Sequence, residues 1–306
     1  MLIYKGNDIV IQVPHGSNIH SISESLSNDK IIISKLAFII AGKALCIKNG
    51  KNFYIKAGEF KITNGMNYYE IIILLASNKY HFHSITIPEG LTVKQVIKLI
   101  ENANIPGNIT INVTEGSLMP ETYNYISTDT KDVMIARMMQ SMDTFLSNAW
   151  SENTNSILKS KDELLSFASI VEKEAGVLAE RKLVASVFTN RLKIDMKLQS
   201  DPTIIYEITK GETNFGRKIT KSDINSGNIY ITYKIKGLPP YPIACPGKES
   251  ILASITPAKT DYLYFVAVGD NSGKHIFAKN YGEHLENVDK YRATRLAREM
   301  EVTNRD

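Results

Sequence analysis

The chain has 306 residues, 43% of them hydrophobic and 22% charged, a composition that fits a globular protein with a full core and excludes a low-complexity or disordered chain. A formal charge of +4 with no run of lysine or arginine leaves no electrostatic footprint for nucleic acid. No stretch reaches the ~18 apolar residues of a membrane span. The longest apolar candidate, Leu36 to Ile47, is too short and is interrupted by Gly42 and Lys43, and no signal peptide is visible. Cys46 and Cys245 stand far apart in no metal-like spacing and read as free buried thiols.

In chain order, Asp8 to Val13 is rich in β-branched residues and predicts a strand. Pro14-His15-Gly16 is a turn, and Ser17 is expected to cap a helix carrying Ile19, Ile22 and Leu26. Leu36 to Ala44 reads as a second helix, Lys56 to Ile62 as a second strand, and Tyr68 to Ser77 as a third helix. A repeat runs through this region. Val13, Gly16 and Ile22 recur with the same spacing as Ile62, Gly65 and Ile71, and again as Ile87, Gly90 and Val96. Its physical content is a strand, a glycine turn and a capped helix packing back on the strand. Such small units resemble the LysM modules that bind peptidoglycan and chitin, but strand-glycine-helix turns are also common in any α+β protein.

His83 to Ile87 predicts a strand, Thr92 to Asn102 an amphipathic helix, and Asn108 to Val113 a further strand. Glu115 to Tyr123 mixes Gly, Pro, acids and a tyrosine, as loops beside a site often do. Asp132 to Ala149 has helical spacing, with Met138, Met139 and Met142 as core filler. Beyond the helix that ends near Gly176, a second begins near Leu178 and runs through Val184, Val187, Phe188 and Leu192. Lys197 to Tyr206 is a polar loop in which Gln199, Ser200, Asp201 and Thr203 offer hydrogen bonds to sugar hydroxyls and acetamides. Asp201 reads equally well as an Asx cap for a helix over Thr203 to Thr209. Tyr230, Tyr233 and Tyr241 offer flat faces for carbohydrate rings, and four prolines stiffen Gly237 to Gly247. Ser250 to Ile255 is a short helix, Asp261 to Val268 and Lys274 to Ala278 a hairpin with His275 on a strand face, and Leu285 to Glu301 a charged terminal helix.

One stretch stands apart. Ser166 to Gly176 is an apolar helix ending in two acids and a glycine. Burying a carboxylate is costly unless it is paired or used. Glu174 follows Phe167, Ile170 and Val171 by seven, four and three positions, so on a helix it shares their apolar face. It also sits at the negative end of the helix dipole, ahead of the expected stop at Gly176. Both influences raise a carboxyl pKa, which suits a general acid at neutral pH. On this stretch alone, a frayed and solvated glutamate is an equal reading.

Several segments together resemble the MltG/YceG family of endolytic murein transglycosylases. They are Glu115 to Tyr123, Ala168 to Glu174, Asn190-Arg191-Leu192, Leu198 to Thr203, Gly237 to Pro240 and Tyr262 to Val266, and the match spans Val13 to His284. The resemblance implies an α+β protein with a small LysM-like αβ domain over residues 1–80 and a larger catalytic domain over 81–306, with 81–130 as a candidate second LysM-like unit. It implies cleavage of the bond between N-acetylmuramic acid and N-acetylglucosamine in nascent peptidoglycan, giving 1,6-anhydro ends and terminating glycan elongation. It implies Glu174 as catalytic acid, Glu172 as a supporting or alternative acid, and Ser169, Gln199, Ser200, Asp201, Thr203, Tyr206 and Tyr233 as substrate contacts. The loop at Gln199 to Thr203 and the proline-rich span Gly237 to Gly247 are the expected walls of the cleft. Other transglycosylases follow their acid with Ser or Thr, where this chain has Ala175. It also departs from the family at Ile231, where Asn is usual, and at Cys245, where a polar residue is usual.

No cofactor or metal is expected. Glycan strands are the expected partner, with peptidoglycan synthases as a second. The family implies the periplasmic face of the bacterial inner membrane, reached through an N-terminal helix that this sequence does not supply. Two rival readings are a non-catalytic peptidoglycan-binding scaffold and a pyridoxal-phosphate-dependent aminodeoxychorismate lyase. The latter needs a Schiff-base lysine and a phosphate cup, and no glycine-rich phosphate loop is visible.

Overall fold

The computed structural model describes residues 2–49, 54–212, 215–226 and 229–303. In chain order they form β1 (Ile9–Val13), α1 (Ile19–Asn28), α2 (Lys35–Asn49), β2 (Gly58–Ile62), α3 (Tyr68–Ala76), β3 (His83–Thr86), α4 (Val93–Asn102), β4 (Thr122–Tyr125), α5 (Lys131–Ser151), α6 (Lys161–Glu174), a 3-10 turn at Leu178–Glu180, α7 (Arg181–Lys193), α8 (Asp201–Thr209), α9 (Lys221–Asn225), α10 (Lys248–Ile255), β5 (Tyr264–Ala267), β6 (His275–Ala278) and α11 (Tyr281–Thr303). The mixture is α+β, as expected. Among the described residues no helix is long and apolar enough to cross a membrane.

The chain divides into two compact units. The first is built from the described residues up to Ile85, with 104–108 and 122–134. β1 and β2 pair antiparallel, Ile11 opposite Phe60. Strand alternation turns Ile11, Val13, Phe60 and Ile62 inward, where they pack with Leu26, Phe38, Ile71, Ile72 and Leu75 in one core. β3 pairs with β4 as a second two-stranded sheet.

The repeat has a common local geometry. Gly16, Gly65 and Gly90 take φ of 81°, 90° and 75°, the left-handed region that glycine enters without steric cost. Two residues after each glycine comes the helix cap: Asn18, Asn67 and Thr92. Each cap accepts from the backbone three residues on, and Ser21, Glu70 and Gln95 reach back in capping boxes. The cap of α1 is thus Asn18 and not Ser17, whose hydroxyl instead donates to the Pro14 carbonyl at 2.7 Å. Ile22, Ile71 and Val96 are buried, as are Val13, Ile62 and Ile87.

The second unit holds residues 86–103, 109–121 and the described residues from Ile135 onward. Its core gathers Met142 and Leu146 of α5, Phe167, Ile170 and Val171 of α6, Val184 and Phe188 of α7, and Ile251 and Ile255 of α10. Residues Ser166 to Val171 are all buried, so α6 is enclosed on every side and forms the central helix. Ser160 caps it, accepting from the Glu163 N–H, and Asp162 and Glu163 lie at the favourable end of its dipole. Antiparallel β5 and β6 form a hairpin.

Two sequence expectations are corrected and a third is refined. Residues 108–113 form no named strand: their β-branched alternation has no buried position to anchor it. The loop expected over 115–123 runs into β4 at Thr122. The helix stops just before Gly176, as expected, although Gly176 does not take the left-handed conformation. α6 ends on Ala175 at φ −79°, and Gly176 is small because a Cβ there would lie 2.4 Å from the Gly273 carbonyl oxygen. Cys245 is free and buried, while the side chain of Cys46 lies outside the described residues.

Candidate active site

Glu174 is the last residue of α6. Because this helix is locked in the core, its final side chain has a fixed position at the floor of a cleft of about 290 Å³. Leu198, Gln199 and Asp201 line one part of the cleft, and Arg191, Tyr233, Tyr264, Phe265, Tyr281 and His284 line the rest. Part of Glu174 stays open to the cleft, but its carboxyl is desolvated, and its pKa is pushed up to about 7. Burial is the largest cause. The Ser200 hydroxyl, donating to Oε1 at 2.6 Å, opposes it, Asp201 adds to it, and Arg191 opposes it again. Such a carboxyl keeps a large protonated fraction at neutral pH and can give its proton to a bound ligand.

The loop before α8 is built around Thr232, which is fully buried. Its hydroxyl accepts from the Ser200 N–H at 2.9 Å and lies 3.0 Å from the Thr203 hydroxyl, and its carbonyl accepts from the Gln199 N–H at 3.2 Å. This node brings the neighbouring Tyr233 beside the loop, and the Tyr233 hydroxyl donates to Asp201 Oδ1 at 2.8 Å. Gln199 adopts φ of 51°, a strained conformation for a non-glycine residue, at the edge of the cleft. Asp201 caps nothing: Ser200 holds the cap position of α8 without a side-chain bond, and Asp201 is the first helical residue, followed by Pro202.

The expected site residues therefore separate. Glu174, Gln199, Asp201 and Tyr233 share the cleft. Ser200 is buried and reaches Glu174 only. Thr203 is fully buried and spends its hydroxyl on the Ser200 carbonyl at 2.6 Å, so it supports the loop from inside the core. Ser169 is enclosed in the same way. It is fully buried, donates to the Ser166 carbonyl at 2.7 Å and accepts from the Ile243 N–H at 3.0 Å. Tyr206 lies outside this cleft, donating to Glu115 Oε2 at 3.1 Å. Glu172 faces away: its side chain is 6% exposed, accepts from Arg181 Nη2 at 2.8 Å and takes the Gly247 N–H at 3.0 Å.

The proline-rich span is not a wall of this cleft. Ser166 of α6 donates to the Pro239 carbonyl at 2.9 Å, and residues 237–240 line a separate cavity of about 390 Å³. The second wall comes from β5 and the first turn of α11. The Tyr264 ring stacks on His284, centroids 5.1 Å apart. Sequence reasoning missed Arg191, Tyr264, Tyr281 and His284 as cleft residues; for His284, the terminal helix was expected to begin only at Leu285. A signal for it was present: Asn280 and Glu283 form a reciprocal cap, with the Glu283 N–H on Asn280 Oδ1 at 3.0 Å, and start α11 four residues earlier than expected. Of the departures from the resembled family, Ile231 and Cys245 are fully buried.

The comparisons with known proteins agree with this architecture. Residues 11–290 match the YceG-like family. The chain is 33% identical over 320 residues to the endolytic murein transglycosylase of Bacillus subtilis strain 168, covering 92% of this chain and 84% of that protein. It is 28% identical over 343 residues to the endolytic murein transglycosylase of Streptococcus pneumoniae serotype 2, covering 94% of this chain and 59% of that longer protein. The crystal structure of a yceG-like protein from Listeria monocytogenes aligns with a TM-score of 0.56 at 30% identity, over 92% of this chain and 99% of that one.

Proposed function

The chain belongs to the YceG-like family, and from that membership we propose that it is an endolytic murein transglycosylase, a non-hydrolytic lyase that cuts nascent peptidoglycan strands between N-acetylmuramic acid and N-acetylglucosamine. The observation that carries the reading is Glu174, a desolvated carboxyl whose pKa is pushed up to about 7 in a cleft walled by tyrosines and by Gln199 and Asp201.

In the proposed reaction Glu174 gives its proton to the glycosidic oxygen. The bond from that oxygen to the muramoyl C1 breaks, with its electron pair leaving on the oxygen. The muramoyl C6 hydroxyl oxygen then bonds to C1, closing the 1,6-anhydro ring, and its proton returns to Glu174. Ordinary glycosidases use two carboxylates because water or an enzyme nucleophile must be activated. Here the nucleophile belongs to the substrate, so one carboxyl serves as acid and then base. Gln199 and Asp201 supply hydrogen bonds to the sugars, and the rings of Tyr233 and Tyr281 supply faces for them.

The strand-turn-helix repeats within residues 1–80 support a LysM-like, glycan-holding role for that part, with residues 81–306 as the catalytic region. The proposed place of action is the periplasmic face of the inner membrane, where nascent strands emerge beside their synthases.

The test is product analysis by mass spectrometry on purified glycan strands. The wild type should release 1,6-anhydro-ended fragments and Glu174→Gln should release none. A Glu174→Gln variant with full activity would sink the assignment, and binding without cleavage by the wild type would favour a scaffold.

A further inference from the structure

Arg191 is the one cation lining the Glu174 cleft among the described residues. It lies in the last turn of α7 and is only 7% exposed. Its Nε donates to the Leu263 carbonyl at 2.6 Å and its Nη1 to the Leu198 carbonyl at 2.7 Å. The guanidinium lies over the Tyr264 ring, 5.2 Å from the centroid. These contacts fix its position but leave its charge without a counter-ion: among the described residues no carboxylate touches it, and its Nη2 donates to no acceptor. Buried charges are ordinarily paired. The same helix supplies the contrast, since Arg181 contacts Glu172 at 2.8 Å and Glu89 at 2.9 Å.

We propose that Arg191 is the positioning residue that holds a fixed counter-charge for Glu174, stabilising the carboxylate that forms when Glu174 gives up its proton. This rests on the reading of Glu174 as the acid. A desolvated carboxyl keeps its proton at rest, but the anion left by proton donation is poorly stabilised in the same surroundings. A preorganised positive charge lowers the energy of that anion without reorganisation at the moment of transfer. Separation is part of the device. Direct contact would pull the carboxyl down by about 1–3 pH units and leave it ionised at rest. Arg191 shares the cleft with Glu174 without touching it, so it acts on the anion and still permits the resting acid.

The other groups that face Glu174 cannot replace it. Ser200, at the start of α8, donates one hydrogen bond, and Asp201 beside it adds negative charge. Tyr233 is engaged with Asp201. Tyr264 on β5 lies under the guanidinium. Tyr281 and His284 on α11 carry no charge into the cleft at neutral pH, since burial and Arg191 hold the His284 imidazole below its ordinary value.

The experiment is the pH–rate profile for release of anhydro ends from purified glycan strands, with the full chain as wild type, Arg191→Gln and Arg191→Lys. Glutamine can still donate to one of the two carbonyls but carries no charge, whereas lysine keeps the charge and loses the fork. The alkaline limb of the Arg191→Gln profile should move up by about one pH unit, with kcat lower by roughly tenfold or more and KM within about threefold. In Arg191→Lys the limb should stay within a few tenths of a unit of wild type. Circular dichroism checks the fold, and Arg191→Met replaces Arg191→Gln if the latter does not fold. Uniform loss of activity with an unmoved limb, an equal shift in Arg191→Lys, or a change in KM alone would each overturn the proposal. Glu174→Gln is assayed beside them. If it stays active, the acid assignment fails and takes the counter-charge with it. If it is inactive while the neutral Arg191 variant keeps the wild-type limb, only the counter-charge fails.

Discussion

The Ser200 hydroxyl donates to Glu174 Oε1 at 2.6 Å, across 26 positions of sequence. It supplies the hydroxyl that Ala175, directly after the acid, lacks. Ser200 is held by its own N–H on Thr232 Oγ1, so the donor is fixed from an element other than α6.

Ser200→Ala should therefore shift the acid without removing it. The bond stabilises the ionised form, so its loss raises the Glu174 pKa further above about 7. The expected result is an alkaline limb at higher pH by roughly half a unit and kcat lower by roughly tenfold, reflecting a weaker and less well oriented acid. A profile unchanged in shape would mean that the hydroxyl has no part in tuning Glu174.

Glu174→Gln should make the protein more stable at alkaline pH while it abolishes activity. The sign follows from linkage. The folded pKa, about 7, lies above the unfolded value of 4.5, so the native state holds a proton that the unfolded state has released. That advantage is complete below about pH 4.5 and is lost as pH rises toward 7. Above pH 8 the wild type carries a desolvated carboxylate that glutamine does not, a difference on the order of 3 kcal/mol. Thermal unfolding at pH 5 and pH 8.5 should show the variant's gain at the higher pH only.

Much of this arrangement was legible in the sequence. The glycine turns and the helices after them follow from residue type and period, and the polar loop at 199–203 announced itself by composition. The acid was singled out because its neighbours three, four and seven positions back are apolar, and these are buried. What stayed hidden depended on distant contacts. Ser169 and Thr203 look like ligand residues until their hydroxyls are found bonded to Ser166 and Ser200 inside the core. Tyr264 joins the cleft through the pairing of β5 with β6 and the start of α11, a long-range placement that no local period encodes.

Glu172→Gln should separate structure from chemistry. Glu172 and Arg181 are 6% and 8% exposed in their side chains, and the arginine's Nε and Nη1 have no partner of their own. Removing one charge leaves Arg181 buried with Glu89 alone, at a cost of about 3 kcal/mol. The melting temperature should fall, while the pH at which activity is half lost stays at the wild-type value, because Glu172 does not line the cleft. A shifted pH profile with an unchanged melting temperature would show that Glu172 acts on the chemistry.

Gly176→Ala tests how the end of α6 is seated. An added Cβ would stand 2.4 Å from the Gly273 carbonyl oxygen, and the obstructing atom is backbone that cannot rotate away. Gly273 itself has φ of 72° and lies in the turn between β5 and β6, so relief requires the hairpin to move as a body. Overpacking of this kind costs about 1–3 kcal/mol. The hairpin carries Tyr264 and Phe265 into the Glu174 cleft, so the displacement reaches the site. The expected outcome is a lower melting temperature together with a raised KM for glycan strands. A variant that loses stability and keeps its KM would show that the hairpin shifts without disturbing the aromatic wall.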